Sequence, residues 1–596
     1  MTQGRWLRAR SRLELAQRWN AVGIANSIAR IVAVGVLAAV AINCRVASAD
    51  DTALFQSQLQ TGEFGSALAA AQQLPAGSQR DQALVQIAIA QNAAGDRQAS
   101  LTTIGAIDDD RSRAMALKSA DAVPVGKGGF GGNQADFDSL IELITSTVAP
   151  PSWDANGGPG SIAPFPGGVY VDAVGVLRPA LNEDRSGALA ALRRQAELAN
   201  ATGMSASVHN RSPLRKVSLT RLERAVQLAL AAGKQPTEAM RLLAGLERIK
   251  YVMIYPESHD VVLAGPANDW ETDPEGRIVA KGSNHPIVQL DDLIVILRYM
   301  QTAQDARFGC SITPTADGLA RTKEFVAESN RKPLKEGQRD AWLEQLRSHL
   351  GKQTIEVNGI DPRTRVGRVM VEADYRMKLV GLGLEDGVLG VPSYLSTVTL
   401  DKDGSVPPLD VLRWWFTLNY QAVQSTAGHD AFEIHGQGVK VLSENELLTA
   451  TGQQVHTGAS NLLNDQFAHN FTEHFPELAA KYPVYAELQN IFDLALVGAL
   501  IRSEKLADRA DWHLTCFGDP NEYAVELEDA PRTVETVINH RIIKGVHILV
   551  GVSGGVSCDP SPLVRPDAIG ADYGRLQETR ALAKPKAASP EVWWWD

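Results

Sequence analysis

The chain has 596 residues, 44% hydrophobic and 6% aromatic, with 58 Lys and Arg against 69 Asp and Glu and a formal charge of −11. That is the composition of a globular protein of several domains, and its acidity, with no long basic run beyond the first 49 residues, excludes nucleic acid as an expected partner. Four cysteines in such a length exclude a disulfide framework, and no two of them have zinc-finger spacing.

Residues 1–49 read as an export signal. Arg5, Arg8, Arg10, Arg12, Arg18 and Arg30 precede an apolar run from Ile31 to Ile42, and Ala47-Ser48-Ala49 puts small residues at −3 and −1, so cleavage is expected between Ala49 and Asp50. The run is shorter than the roughly 20 residues a spanning helix needs, so no stable transmembrane anchor is expected after cleavage. Asn43 in front of Cys44 makes a poor lipidation site. Losing seven arginines and one glutamate leaves 51 basic against 68 acidic residues, a formal −17. The expected location is the periplasm, cell envelope or extracellular space. Export permits a disulfide, and Cys516 with Cys558 is the pair to test, beside the reading that Cys310, Cys516 and Cys558 are buried thiols.

Residues 50–122 carry a repeat with an offset of 33: Gly62-Glu63 matches Gly95-Asp96, Leu68 matches Leu101, Leu74 matches Ile107, Arg80 matches Arg113 and Leu84 matches Leu117. The unit reads as a helical hairpin turned by Gly95-Asp96. It resembles tetratricopeptide-type repeats, without their Trp and Tyr consensus positions. The resemblance implies a groove for a protein or peptide partner, the alternative being a helical cap. Residues 123–135 are a glycine-rich linker. Its GxGxxG string from Gly126 to Gly131 follows Ala-rich helix where a dinucleotide site needs a strand, and no cofactor is expected.

Residues 136–180 form a small helix, loop and strand module: Phe137, Leu140, Ile141, Ile144 and Val148 share a helical face, and a strand is expected at Val169–Val171. Through LITSTVAPPSW at 143–153 and GGPGSI at 157–162, this module resembles one in planctomycete envelope proteins, including some with secretin-like parts. The resemblance implies a fold and assigns no catalytic role.

A central α+β domain is expected over 181–400 and a C-terminal one over 401–558, with a Pro-rich tail over 559–596. The spacing predicts helices at 181–202 and 217–246, then strands Tyr251–Tyr255 and Val261–Ala264 joined by Pro256-Glu257-Ser258-His259. A helix starts at Asp361-Pro362 and carries Val366, Val369, Met370, Ala373, Met377 and Val380 to Gly381. A hairpin is expected from Phe432–His435 and Val439–Leu442 through Gly436-Gln437-Gly438, and Ser443 with Glu446 reads as a capping box. YPESHDVVLAGPANDW at 255–270, FGCSI at 308–312, ADYRMKL at 373–379 and FTEHFPELAAKYPVYAEL at 471–488 resemble a planctomycete family of exported proteins of unknown function. The resemblance spans about 249–558. It implies an extracytoplasmic α and β fold and brings no activity.

Four groupings invite chemistry. Gly551-Val552-Ser553-Gly554-Gly555 matches GxSxG, but Val556 to Pro562 cannot begin the helix a nucleophile elbow needs and no histidine follows, so a glycine turn after a buried strand is expected. His429, His435, His456, His469 and His474 crowd into 46 residues. On a continuous helix Asp465, His469 and Glu473 share one stripe and His474 lies about 140° from His469, so the histidines do not pair as in HExxH. Phe467, Phe471 and Phe475 form the opposite stripe, and an amphipathic helix with its aromatics inside is expected. Asp374, Arg376 and Lys378 around Tyr375 read as a solvated face. Glu257, His259 and Asp260 read as turn residues. Trp593-Trp594-Trp595-Asp596 is expected to dock on the body.

The expected protein is α+β and multi-domain, exported, and engaged in binding or assembly. Its alternative is a secreted hydrolase or metal-dependent enzyme using Asp465, His469 and Glu473, with His469 as the metal candidate.

Overall fold

The computed structural model describes residues 55–56, 58–59, 62–121, 162–165, 168–171, 205–329, 338–399, 411–448, 454–528, 530–543, 546–572, 574–585 and 592–596. The expected export leader, the expected glycine-rich linker and the helices expected over 137–148 and 181–202 lie outside them. The chain divides into two compact units, residues 1–131 and 132–596.

The first unit is helical: α1 Phe64–Gln73, α2 Ser78–Ala93, α3 Arg97–Gly105 and α4 Asp110–Asp121. Gly95, at φ +89°, makes the turn between α2 and α3, where a side chain would be strained, and Asp96 caps α3 by accepting from the Ala99 N–H at 2.9 Å. Leu84, Val85, Ile87 and Ala88 of α2 are buried with Ile104 and Ile107. Asp81, also buried, accepts from the N–H groups of Asp108 and Asp109 at 2.9 Å each and so ties α2 to the approach of α4.

The second unit mixes helices and sheets. Its elements are β1 Ile162–Phe165, β2 Gly168–Val171, β3 Ser212–Ser218, α5 Leu219–Ala231, α6 Glu238–Arg241, β4 Tyr251–Tyr255, β5 Asp260–Ala267, β6 Trp270–Thr272, β7 Ile278–Ala280, α7 Leu290–Thr302, β8 Phe308–Pro314, α8 Ala316–Ser329, α9 Arg339–Leu350 and β9 Lys352–Asn358. Then come α10 Arg365–Gly381, α11 Tyr394–Thr397, β10 Val411–Asn419, β11 Ala422–Ser425, β12 Ala431–His435, β13 Gly438–Leu448, β14 Gln454–His456, α12 Leu462–Glu473, α13 Phe475–Lys481, α14 Pro483–Ser503 and α15 Leu506–Arg509. The last are β15 Thr533–Glu535, β16 Ile538–Ile543, β17 Val546–Cys558, β18 Ile569–Ala571, α16 Arg575–Leu582 and β19 Trp594–Trp595.

Two large sheets organise these elements. One runs β14-β13-β10-β17-β8-β9-β15, with β16 also on β17; the other runs β18-β11-β12-β4-β5-β3-β19. Both sheets draw strands from before and after residue 400, so the expected division into domains at 181–400 and 401–558 falls through the middle of each. Among the pairings that cross residue 400 are β12 on β4 and β17 on β8, and the two sheets share one long bent hairpin. Its first arm is β10 and β11 and its second is β12 and β13, with Ala422 opposite His435 and Asn419 opposite Gly438. The arms turn at Thr426–Asp430 and bend at Gly436, where a Cβ would come within 2.8 Å of Asn419 and Gln421 backbone atoms. The hairpin expected through Gly436-Gln437-Gly438 is thus corrected: 432–435 and 439–442 are successive parts of one arm. Ser443 and Glu446 likewise lie within β13 and cap nothing; α12 begins later, capped by Asn461 accepting from the Asn464 N–H at 2.8 Å. Ladder pairing with β10 overrides the local capping signal.

The helical spacing over 366–380 yields α10, with Val366, Val369, Met370, Ala373, Met377 and Val380 all buried. Trp414 and Phe416 of β10 meet Phe467 and Phe471 of α12, at ring separations of 4.2 and 5.7 Å. α14 is buried at every residue from Pro483 to Ile501 and packs on α7, α10 and β13. It is long and apolar enough to cross a membrane by length and composition, and here it is the core helix of the body. Cys310, Cys516 and Cys558 are buried free thiols, so the pairing of Cys516 with Cys558 is not formed.

The expected tail at 559–596 is stitched into the fold: β18 pairs with β11 and β19 with β3. Burial opposes the Asp596 charge, but Arg215, Ser212 and Lys216 outweigh it and hold the carboxyl below its ordinary value. A depressed folded pKa contributes stability above the ordinary aspartate range, about 3.9, that is lost as pH falls through the folded value. Acidification is therefore expected to free the Trp strand first, read as a red shift of tryptophan emission before the helical signal fails. Asp596→Asn removes this acid step.

Candidate functional site

The chemistry-bearing residues named from sequence sit in separate places. Asp465, His469 and Glu473 do form one stripe on α12, and it is exposed: His469 and Glu473 are 75% and 65% accessible and 3.7 Å apart. Phe467 and Phe471 face inward from the same helix, while Phe475 is buried at the start of α13. The other histidines each meet a different carboxylate: His429 is 3.0 Å from Glu504, His435 3.4 Å from Glu433 and His474 3.9 Å from Glu477.

GxSxG lies inside β17, a 13-residue strand, so neither an elbow nor the expected turn forms. Its glycines serve packing: a Cβ on Gly554 would stand 2.0 Å from the Trp414 carbonyl oxygen and 2.9 Å from the Asp374 carboxylate. Ser553 is buried and donates to Glu446 at 2.9 Å. His456 reaches the other Glu446 oxygen at 3.1 Å, and Arg413 pairs with Glu444 at 3.1 Å. Burial pushes the Glu446 carboxyl up, against Ser553 and Arg413. Burial also opposes the Glu444 charge, yet the Gly458 N–H and Arg413 hold that carboxyl down. The histidine contacts the acids and the serine donates its hydrogen bond to one of them, so Ser553 and His456 both turn to Glu446 and are not paired as a serine with a histidine base.

The solvated face expected for Asp374 and Lys378 is corrected. Both are fully buried and paired at 2.8 Å between α10 and the sheet, and Lys378 also donates to the Ile312 carbonyl at 3.0 Å. They lie one turn apart within the apolar stripe of α10, which buries them with it. Burial pushes the Asp374 carboxyl up against the pull of Lys378, and it raises the neighbouring Cys310 thiol well beyond its ordinary value. Asp260 is buried too, held by Arg221 through two 2.8 Å contacts and by Ser218 at 2.6 Å.

A larger charge network, which sequence reasoning missed, joins α7, α10 and α14. Arg365 bonds Asp292 and Glu487, and Arg277 bonds Glu487 and Glu372. Burial pushes the Asp292 carboxyl up to about 6, with Arg365 pulling against it. Glu487 inside the apolar run 483–501 was the available signal, since a buried acid there requires cationic partners.

Glu372 leads from this network to a recess of about 270 Å³. Ile355 and Val357 of β9 form one wall and Val371 and Tyr375 of α10 another, closed by Pro362, Pro531 and Val534. Glu528 and residues 530–535 are held there by the Glu528 N–H on the Arg363 carbonyl, the Ile355 N–H on the Arg532 carbonyl, both 2.9 Å, and by β15 on β9. Arg363, Arg368, Glu372 and Glu528 make the polar rim, with Arg368 3.3 Å from Glu528 and Arg363 bonding Asp361. An apolar floor with paired charges at the mouth suits an apolar group flanked by polar or charged neighbours.

Residues 310–394 match the family described as "Protein of unknown function (DUF1598)". The match runs from within β8 to the first residue of α11 and so includes the β9 and α10 walls of the recess together with Asp374 and Lys378. No curated protein matches the chain, and no solved structure does.

Proposed function

We propose that this is an exported protein of the cell envelope or extracellular space that binds a protein or peptide partner, taking an apolar side chain of that partner into the recess between β9, α10 and residues 530–534. The observation that carries the reading is the recess itself, an apolar floor with charges at its mouth on the segment that matches a family. The basic leader with Ala47-Ser48-Ala49 supports export, as does the resemblance of segments 255–270, 308–312, 373–379 and 471–488 to exported planctomycete proteins. The helices of residues 64–121, with their resemblance to tetratricopeptide-type repeats, offer a second surface for a partner.

The test uses immobilised pentapeptides with Leu, Phe or Trp between charged residues. The chain starting at Asp50 is expected to bind the best of them saturably, and Val371→Trp, which fills the recess, is expected to weaken binding tenfold or more, since one buried apolar side chain contributes about 1.5–3 kcal/mol. Equal binding by the variant counts against the recess. Cleavage of the peptides by the parent chain and not by His469→Ala would favour the hydrolase reading built on Asp465, His469 and Glu473. Amino-terminal sequencing of the exported protein is expected to begin at Asp50.

A further inference from the structure

β3 is the strand whose outer edge receives β19, and the way it does so resembles a receptor holding a peptide. Trp594 pairs with Val217 and Trp595 with Lys216 in antiparallel register, and the Ser218 N–H donates to the Trp593 carbonyl at 2.8 Å. Arg221, at the start of α5, reaches the Val592 carbonyl at 3.4 Å. Trp593 and Trp594 are buried, and Trp595 packs against the cluster formed by Met253, Tyr255, Val262, Ala431, Leu576 and Ala583.

The end of this groove is charged. Arg215 is fully buried and grips the Asp596 side chain with two parallel bonds, Nε to Oδ1 at 2.9 Å and Nη2 to Oδ2 at 3.0 Å, while its guanidinium lies 4.7 Å from the Trp594 ring. The same guanidinium donates to the carbonyls of Val208, Asn210 and Ala244, the last two at 2.7 and 2.8 Å. Those three carbonyls belong to the body, so the arginine is oriented independently of the strand it reads. Bidentate geometry favours a carboxylate over a carboxamide at this position.

We propose that the β3 edge with Arg215 is a strand-accepting site for an extended aromatic, aromatic, acidic segment, and that residues 592–596 of a second copy of this chain can occupy it in exchange for the chain's own. Each copy carries both the segment and the site, so reciprocal exchange closes a two-fold dimer and keeps every contact just described. The edge pairing supplies register, the buried Trp593 and Trp594 supply affinity, and Asp596 supplies direction along the edge. This goes beyond the recess, which lies on other elements.

The experiment uses a chain lacking 592–596 and the dye-labelled peptide Val-Trp-Trp-Trp-Asp. The truncated chain is expected to bind the peptide one to one by fluorescence anisotropy, the peptide ending in Asn to bind at least tenfold more weakly, and the full chain to bind neither. Mixed at high concentration, truncated and full-length chains are expected to form a heterodimer by native mass spectrometry that excess peptide dissolves. If truncation prevents folding, the full chain with Trp594→Ala and Asp596→Asn replaces it as the acceptor. Absence of peptide binding by a folded acceptor overturns the site, and peptide binding without a heterodimer overturns the exchange between copies.

Discussion

Lys378→Met is expected to lower the unfolding free energy of the body by about 3–5 kcal/mol, the range for removing one partner of a buried ion pair. Asp374 would remain fully buried beside β17, within reach of Gly554 and Cys310, with only the Gly555 backbone and the more weakly acting charge of Arg413 to offset its desolvation. The deficit should depend on pH with a definite sign. The Asp374 carboxyl is already pushed up by burial, and losing Lys378 raises it further, so acid neutralises the orphan and the deficit shrinks as pH falls. The double variant Asp374→Leu, Lys378→Met is expected to recover most of the loss, because apolar side chains of similar volume satisfy the same space. Urea unfolding followed by far-ultraviolet circular dichroism at several pH values measures all three. A Lys378→Met chain as stable as the parent at neutral pH would show that the pair contributes nothing.

Glu487→Gln is expected to cost a similar ~3–5 kcal/mol, for a different reason. Among the described residues Glu487 is the one acid bonded to both Arg277 and Arg365, and it is 2% exposed. Neutralising it leaves two mostly buried guanidiniums sharing Asp292, Glu372 and Glu275. Glu372→Gln makes the contrast: this side chain is 29% exposed and water can solvate what it leaves, so about 1 kcal/mol is expected. A thermal melt of the two variants side by side separates the cases. Equal losses would mean that the network is held by its count of acids and not by the position of Glu487 in the core helix.

The elements of this fold were far more legible than their partnerships. The 3.6-residue spacing of Val366 to Val380 and the Phe467 and Phe471 stripe locate two helices because each buries one face. The strands at 251–255 and 260–267 announce themselves by β-branched runs around a Pro-containing turn. Pairing is another matter, since it is decided by residues hundreds of positions apart. Gly436-Gln437-Gly438 carries hairpin chemistry, yet the glycines serve a bend, and the real turn is the plainer Thr426–Asp430. Opposite charges four apart, as in Asp374 and Lys378, are commonplace on helix surfaces, so they read as solvated; only their position in line with Met370 and Met377 betrays burial. The recess had no local signature, because its walls come from 355–375 and from Glu528 and 530–534, brought together by the β9 and β15 ladder, two backbone bonds and the Arg368–Glu528 pair.

The bond between Arg215 and Asp596 spans 381 positions of sequence. A sheet whose neighbouring strands lie that far apart cannot be completed in the order of synthesis, and such long-range pairings are slow to form. The β3 edge must wait, unpaired, until residues 592–596 are available. β19 is thus the last strand this sheet can gain, and the body stays open along the β3 edge until it docks.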